Sequence, residues 1–119
     1  MQFAADVQPR FNYGRDGHEL GMHEQGVVFV AADQCMALAA PTAFERHASG
    51  VRGCFVLREG QTATFTFGCV QPDFVPRSMS EQESREQFQR TVAYWRGWLS
   101  QSHYGGRWRE MVHRSALTL

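Results

Sequence analysis

Apolar and polar positions alternate from the first residues of the chain: Phe3, Ala5, Val7, Pro9 and Phe11 share one parity, while Gln2, Asp6, Gln8 and Arg10 take the other. A period of two predicts a half-buried β-strand over residues 2–11. Pro9 has no backbone donor and places that end of the strand at a sheet edge or bulge. The pattern lapses over 12–26, where Gly14, Gly17, Gly21 and Gly26 stand among Asn, Asp and His. Turns are predicted there, with one short extended piece at 19–23. The apolar run 27–32 predicts a buried strand, and 35–40, after the Asp33-Gln34 turn, predicts its hairpin partner, closed by Pro41. Two further segments, 44–48 and 53–57, are bounded by the turns Ser49-Gly50 and Glu59-Gly60. In 61–70, Ala63, Phe65, Phe67 and Cys69 alternate with Thr62, Thr64 and Thr66, which predicts an amphipathic strand with the first four on its core face. Short strands spaced about 8–12 residues apart predict an antiparallel sheet or sandwich.

The period then changes. Residues 71–79, with Pro72 and Pro76, read as a linker. Ser80 and Glu83 have the spacing of a capping box, in which the hydroxyl and the carboxylate each satisfy an orphan backbone donor, and Glu81 adds favourable charge at the same helix end. Phe88, Val92, Trp95 and Leu99 follow on one helical stripe, predicting a helix over 80–102. Gly97 costs that helix about 1 kcal/mol. Beyond Gly105-Gly106, the residues Trp108, Met111, Val112, Ser115, Ala116 and Leu119 again share one helical face. This second pattern stops on an apolar residue, with no capping Gly or Asn and no following Pro. The first strand pattern likewise opens at residue one. Both ends predict a piece of a longer protein.

Composition narrows the class. The chain has 119 residues, 43% hydrophobic and 20% charged, which suits one soluble globular core. Twelve basic residues balance twelve acidic ones, so no net field favours nucleic acid or an anionic membrane. Cys35, Cys54 and Cys69 are odd in number and lack zinc-knuckle spacing. The first residues carry no basic or apolar leader, and no run approaches the ~18 apolar residues of a membrane span. The default compartment is a reducing cytoplasm.

Candidate chemistry is sparse. Of His18, His23, His47, His103 and His113, only the first two lie close in sequence, and no Cys or carboxylate completes a metal motif around them. No metal or cofactor is expected. Tyr94, Trp95, Arg96, Trp98, Tyr104, Arg107, Trp108, Arg109 and Arg114 form an aromatic and arginine cluster suited to stacking on single strands or sugar rings. Two packed helices with arginines at their margins produce the same cluster. Glu110 is the nearest approach to a glycosidase acid, and it lies in no aromatic pocket motif. Serine-hydrolase, zinc-protease and phosphate-loop motifs are absent.

The segment Tyr94-Trp95-Arg96, followed by Tyr104-Gly105-Gly106-Arg107-Trp108-Arg109-Glu110-Met111-Val112-His113-Arg114-Ser115-Ala116-Leu117-Thr118-Leu119, resembles bacterial family fifteen glycoside hydrolases, the glucoamylase and trehalase-like proteins. Pro9-Arg10-Phe11-Asn12-Tyr13-Gly14-Arg15 is similar to a strand and turn of their N-terminal β-domain, where Asp is commoner at the place of Asn12. The resemblance implies that residues 1–70 form the later half of a trehalase-like N-terminal β-sandwich and that 71–79 form a linker. It implies further that 80–102 are a linker helix and 107–119 the truncated first helix of a catalytic (α/α)₆ barrel. The expected fold is therefore mainly β with C-terminal helices. The implied parent cleaves α-glucosidic bonds with inversion, using one glutamic acid as general acid and a second glutamate as base. Those glutamates belong to barrel elements outside this sequence, so no residue here is assigned a catalytic role. The missing barrel would be the packing partner, an α-glucoside the parent's substrate, and self-association a property of the separate chain. The competing reading is a free-standing β-sandwich module that binds carbohydrate or another partner without catalysis.

Overall fold

In the computed structural model, which describes residues 1–119, the opening alternation becomes strand β1 (Gln2–Val7). Ala5 and Val7 turn toward the interior. The strand ends before Pro9, and β1 is an edge strand, as the missing donor requires. β2 (Glu19–His23), β3 (Gly26–Val30) and β4 (Cys35–Ala39) form an antiparallel meander, with Val27 opposite Leu38 and Phe29 opposite Met36. β5 (Glu45–His47) and β6 (Gly50–Val56) form a hairpin, and β7 (Thr66–Cys69) pairs with β4. The result is two antiparallel sheets, ordered β1-β6-β5 and β2-β3-β4-β7.

One core joins them. Val51 from the first sheet meets Val27, Phe29 and Leu38 from the second, with Phe11, Ala40 and Phe44 from the connections. Val27, Phe29 and Val51 are fully enclosed. Burying a side chain of this size contributes about 1.5–3 kcal/mol. A core shared between two antiparallel sheets is consistent with a sandwich.

The opposite face of β3 and β4 is also covered, since Val28, Ala37 and Ala39 are buried. Strands buried on both faces read as continuous apolar runs, and 27–32 and 35–40 do. Residues 71–79 lie beside this face without forming helix or strand. Pro76 is buried there; a Cβ added at Gly26 would meet Pro76 Cβ at 2.6 Å and collide with the Leu38 carbonyl oxygen. The Ser78 backbone N–H and hydroxyl both donate to Gln25 Oε1, at 2.9 and 3.2 Å.

The 61–70 segment departs from expectation. Only Thr66–Cys69 pairs as strand, and β7 is an edge of its sheet. Phe67 does sit opposite Leu38, edge-to-face with Phe29 at 6.2 Å between ring centroids, yet it remains 48% exposed, and Cys69 is exposed as well. An edge strand has a neighbour on one flank only, so alternation alone does not bury its inward side chains. Phe65 lies outside the strand and packs with Phe44 and Phe55, at 6.5 and 5.3 Å between ring centroids.

Two helices complete the chain, α1 (Glu81–Leu99) and α2 (Arg109–Thr118). The chain divides into two compact units, Met1–Glu81 and Gln82–Leu119. Neither helix has a buried residue. Phe88 is 69% exposed and Met111 64%, and Trp95, Trp98, Trp108 and Val112 also stand in the open. Nothing lies near Gly97 where a side chain would project, so close packing does not explain that glycine.

Candidate functional site

The β-unit contains a polar cleft of about 610 Å³, walled by the 9–20 segment on one side and the β5–β6 hairpin on the other. Arg10, Asp16, His18, Glu19, Arg46 and Ser49 contribute its polar wall. Its backbone is unusual. Phe11–Gly14 forms a single turn in which Asn12 (φ 47°, ψ 51°), Tyr13 (φ 57°, ψ 30°) and Gly14 (φ 80°) are successively left-handed. The turn is closed by Arg15 N–H donating to Asn12 O at 3.1 Å and Asp16 N–H to Phe11 O at 3.4 Å. Across the cleft, Ala48 has φ 51°. Asn12, Tyr13 and Ala48 are the only non-glycine residues with positive φ; Ala48 lines this cleft, and Asn12 and Tyr13 precede Gly14, which does. Such residues cost roughly 1–3 kcal/mol each and persist only where the surrounding structure holds them.

Packing supplies that hold. Phe11 is buried in the core and anchors the start of the turn. His18 lies between Phe11 and Phe29, with centroids at 5.4 and 5.6 Å, and its Nε2 is 2.6 Å from the Ser49 carbonyl oxygen. A carbonyl only accepts, so Nε2 carries the proton and His18 clamps the two walls together. Arg46 Nη2 donates to Leu20 O at 3.2 Å across the same gap. Behind the hairpin, Ser49 Oγ donates to Gln8 Oε1 at 3.3 Å and Gln8 Nε2 to Asp6 Oδ1 at 3.1 Å. Arg52 lies 3.2 Å and His47 3.6 Å from Asp6 Oδ2. The Gln8 hydrogen bond, with smaller contributions from the His47 and Arg52 charges, holds the Asp6 carboxyl below its ordinary value.

The histidines separate by role: His18 clamps the cleft and His47 pairs with Asp6. His23 ends β2, and His103 is exposed between the helices. His113 Nε2, on α2, is enclosed without a hydrogen-bond partner. No group of three or more His, Cys, Asp or Glu side chains is assembled for a metal ion, and all three cysteines are free. Glu110 lies exposed in the first turn of α2. In the helical unit, Tyr94, Trp95 and Trp98 form an edge-to-face series at 5.2 and 5.8 Å, and the Arg107 guanidinium stands 5.3 Å from the Trp108 ring. Neither helix is long and apolar enough to cross a membrane.

Sequence reasoning missed the cleft. The Asn-Tyr-Gly turn was visible as a turn, but no periodicity links it to residues 46–49, which reach it only through the sandwich.

No known family profile matches the chain, and no solved structure matches it. Among curated proteins, it is 27% identical over 119 residues to a trehalase of Thermoplasma volcanium and 26% identical over 119 residues to a trehalase of Thermoplasma acidophilum. Both alignments cover 100% of this chain but only 19% and 20% of the relatives, so the chain spans about one fifth of the length of the curated proteins it resembles.

Proposed function

We propose that this chain is the non-catalytic β and linker region of a family fifteen glycoside hydrolase that cleaves α-glucosidic bonds with inversion. The observation that carries this reading is the similarity to two trehalases over all 119 residues, from the first strand to the last helix. The antiparallel sheets followed by two helices support it, because that is the element order the resemblance implies. In this reading 1–70 belong to the trehalase-like sandwich, 71–79 link it to the helix over 80–102, and 107–119 open the catalytic barrel. The apolar faces of both helices are then surfaces that the rest of the enzyme covers. Hydrolysis with inversion requires two carboxyl groups roughly 6.5–9.5 Å apart across the scissile bond. This region contributes neither; it supports the barrel that does, and the substrate of the whole enzyme is an α-glucoside such as trehalose.

The test is to express the 119-residue chain and, separately, the open reading frame extended on both sides in the genomic DNA. Glucose release from trehalose and maltose is then measured for each. The extended product is expected to hydrolyse at least one of the two, and the 119-residue chain neither. Hydrolysis by the short chain, or an extended product that encodes no further domain, overturns the reading.

A further inference from the structure

We propose that the free edge of β1 is a docking surface for a second copy of this chain, the two β1 strands pairing antiparallel about Ala4. The ladder to β6 fixes which backbone groups face that edge. Met1 exchanges two bonds with Leu57: its nitrogen donates to Leu57 O at 2.8 Å, and Leu57 N–H donates to Met1 O at 3.0 Å. Hydrogen-bonded and non-hydrogen-bonded pairs alternate along an antiparallel ladder, so Phe3, Ala5 and Val7 bond to β6 while Gln2, Ala4 and Asp6 turn their N–H and C=O outward. No group of the chain meets them there, and all three residues are exposed. Of the four edge strands β1 is the longest, six residues against five, four and three. It has no lysine, no proline and no bulge, and its inward side chains Phe3, Ala5 and Val7 carry no charge. Those are the devices that ordinarily keep edge strands apart.

The edge is complementary to itself. A two-fold axis at Ala4 sets Gln2 opposite the partner's Asp6, Ala4 opposite the partner's Ala4, and Asp6 opposite the partner's Gln2. These are three narrow pairs with two backbone hydrogen bonds each, and a slip of two residues either way leaves only two such pairs. On the outer face the Gln2 amide then meets a carboxylate, and no like charges are opposed. On the inner face Phe3 lies opposite the partner's Ala5. Phe3 stacks on Phe55 at 5.7 Å between centroids and shares the inward parity of Ala5 and Val7, yet it is 39% exposed, so a strand added at the edge covers apolar surface that the chain alone leaves open. Pairing joins two three-stranded sheets into one of six strands. The inference rests on the β-unit alone and not on the function proposed above.

The experiment is amide hydrogen exchange of the 119-residue chain, followed by NMR at two protein concentrations about a hundredfold apart. At the higher one the amides of Gln2, Ala4 and Asp6 are expected to exchange about tenfold more slowly or better, and those of Phe3, Ala5 and Val7 to change less. Association through the helices would not separate the two parities. Ala4→Pro removes an outward donor that the β6 ladder does not use, and Ala4→Glu opposes two carboxylates at the axis; each is expected to abolish the concentration dependence. Far-UV circular dichroism confirms that the variants keep the fold. Rates independent of concentration overturn the proposal: fast ones leave the edge free, and slow ones assign it to a segment of the same chain. Concentration dependence that persists in either folded variant overturns it too. In the extended gene product, protection of Gln2, Ala4 and Asp6 at every dilution would give the edge to another segment of the longer protein and sink the inference while leaving the functional reading intact.

Discussion

Asp6 connects three parts of the β-unit through one carboxylate: Gln8 beyond the end of its own strand, His47 on β5 and Arg52 on β6. Its folded-state value is depressed, chiefly by the Gln8 hydrogen bond, so the stability it contributes is present above the ordinary value of 3.8 and lost as pH falls through the lowered one. Asp6→Asn removes that titration. Thermal unfolding of both proteins between pH 6 and pH 2.5 should show the wild type more stable at the upper end and the difference narrowing below pH ~4. A constant difference across the range would mean that Asp6 acts by packing, not by charge. The same residue shows what a sequence withholds: Asp6 and Gln8 fall on the polar parity of the opening alternation and bond each other, but their other partners, Ser49, His47 and Arg52, lie 41 or more positions away along the chain. Tyr13 withholds more. Turn chemistry identifies Asn12-Tyr13-Gly14 as a turn, yet nothing in those letters states that two non-glycine residues in succession are left-handed.

At the level of elements, legibility followed the number of covered faces. β3 and β4 are covered on both sides, so their apolar runs are unambiguous, while their hairpin turns on Ala32-Asp33, one residue before the expected Asp33-Gln34, with Ala31 N–H donating to Gln34 O at 2.8 Å. β2 was legible as an extended piece among glycines, and α1 from the stripe Phe88, Val92, Trp95, Leu99. The 61–70 alternation overstates the strand, because only Thr66–Cys69 pairs, and it does so at a sheet edge. The 71–79 stretch, read as linker from its prolines, also lies over the outer face of the second sheet. Gly26 is where that closeness is decided, since a side chain there meets both Leu38 O and Pro76. Gly26→Ala should destabilise the β-unit by about 1–3 kcal/mol, measured as a lower urea midpoint at unchanged slope. It should also raise protease cleavage within 71–79. A neutral effect would mean that the strap rests on the sheet without load.

For the whole molecule, the two units differ in what holds them together. The β-unit has fully buried Val27, Phe29 and Val51, whereas the helical unit has no buried residue in either helix and exposes Phe88, Trp108, Met111 and Val112. Isolated helices shorter than ~12–15 residues are marginal in water, and α2 has 10 residues. Helicity there depends on an apolar surface to lie against, which a second copy can supply in a solution of the chain alone. The purified 119-residue chain should therefore bind an apolar dye below the melting temperature of its β-unit and associate as concentration rises. The apolar patch of Trp108, Met111, Val112 and Ser115 localises the effect. Met111→Glu with Val112→Lys should reduce dye fluorescence and sedimentation-derived mass together, and leave the β-unit's melting transition within about 0.5 kcal/mol of wild type, because these residues belong to the other unit. A monomer that binds no dye would show that the helices find their cover within this chain, and the case for a missing partner would lose its physical basis.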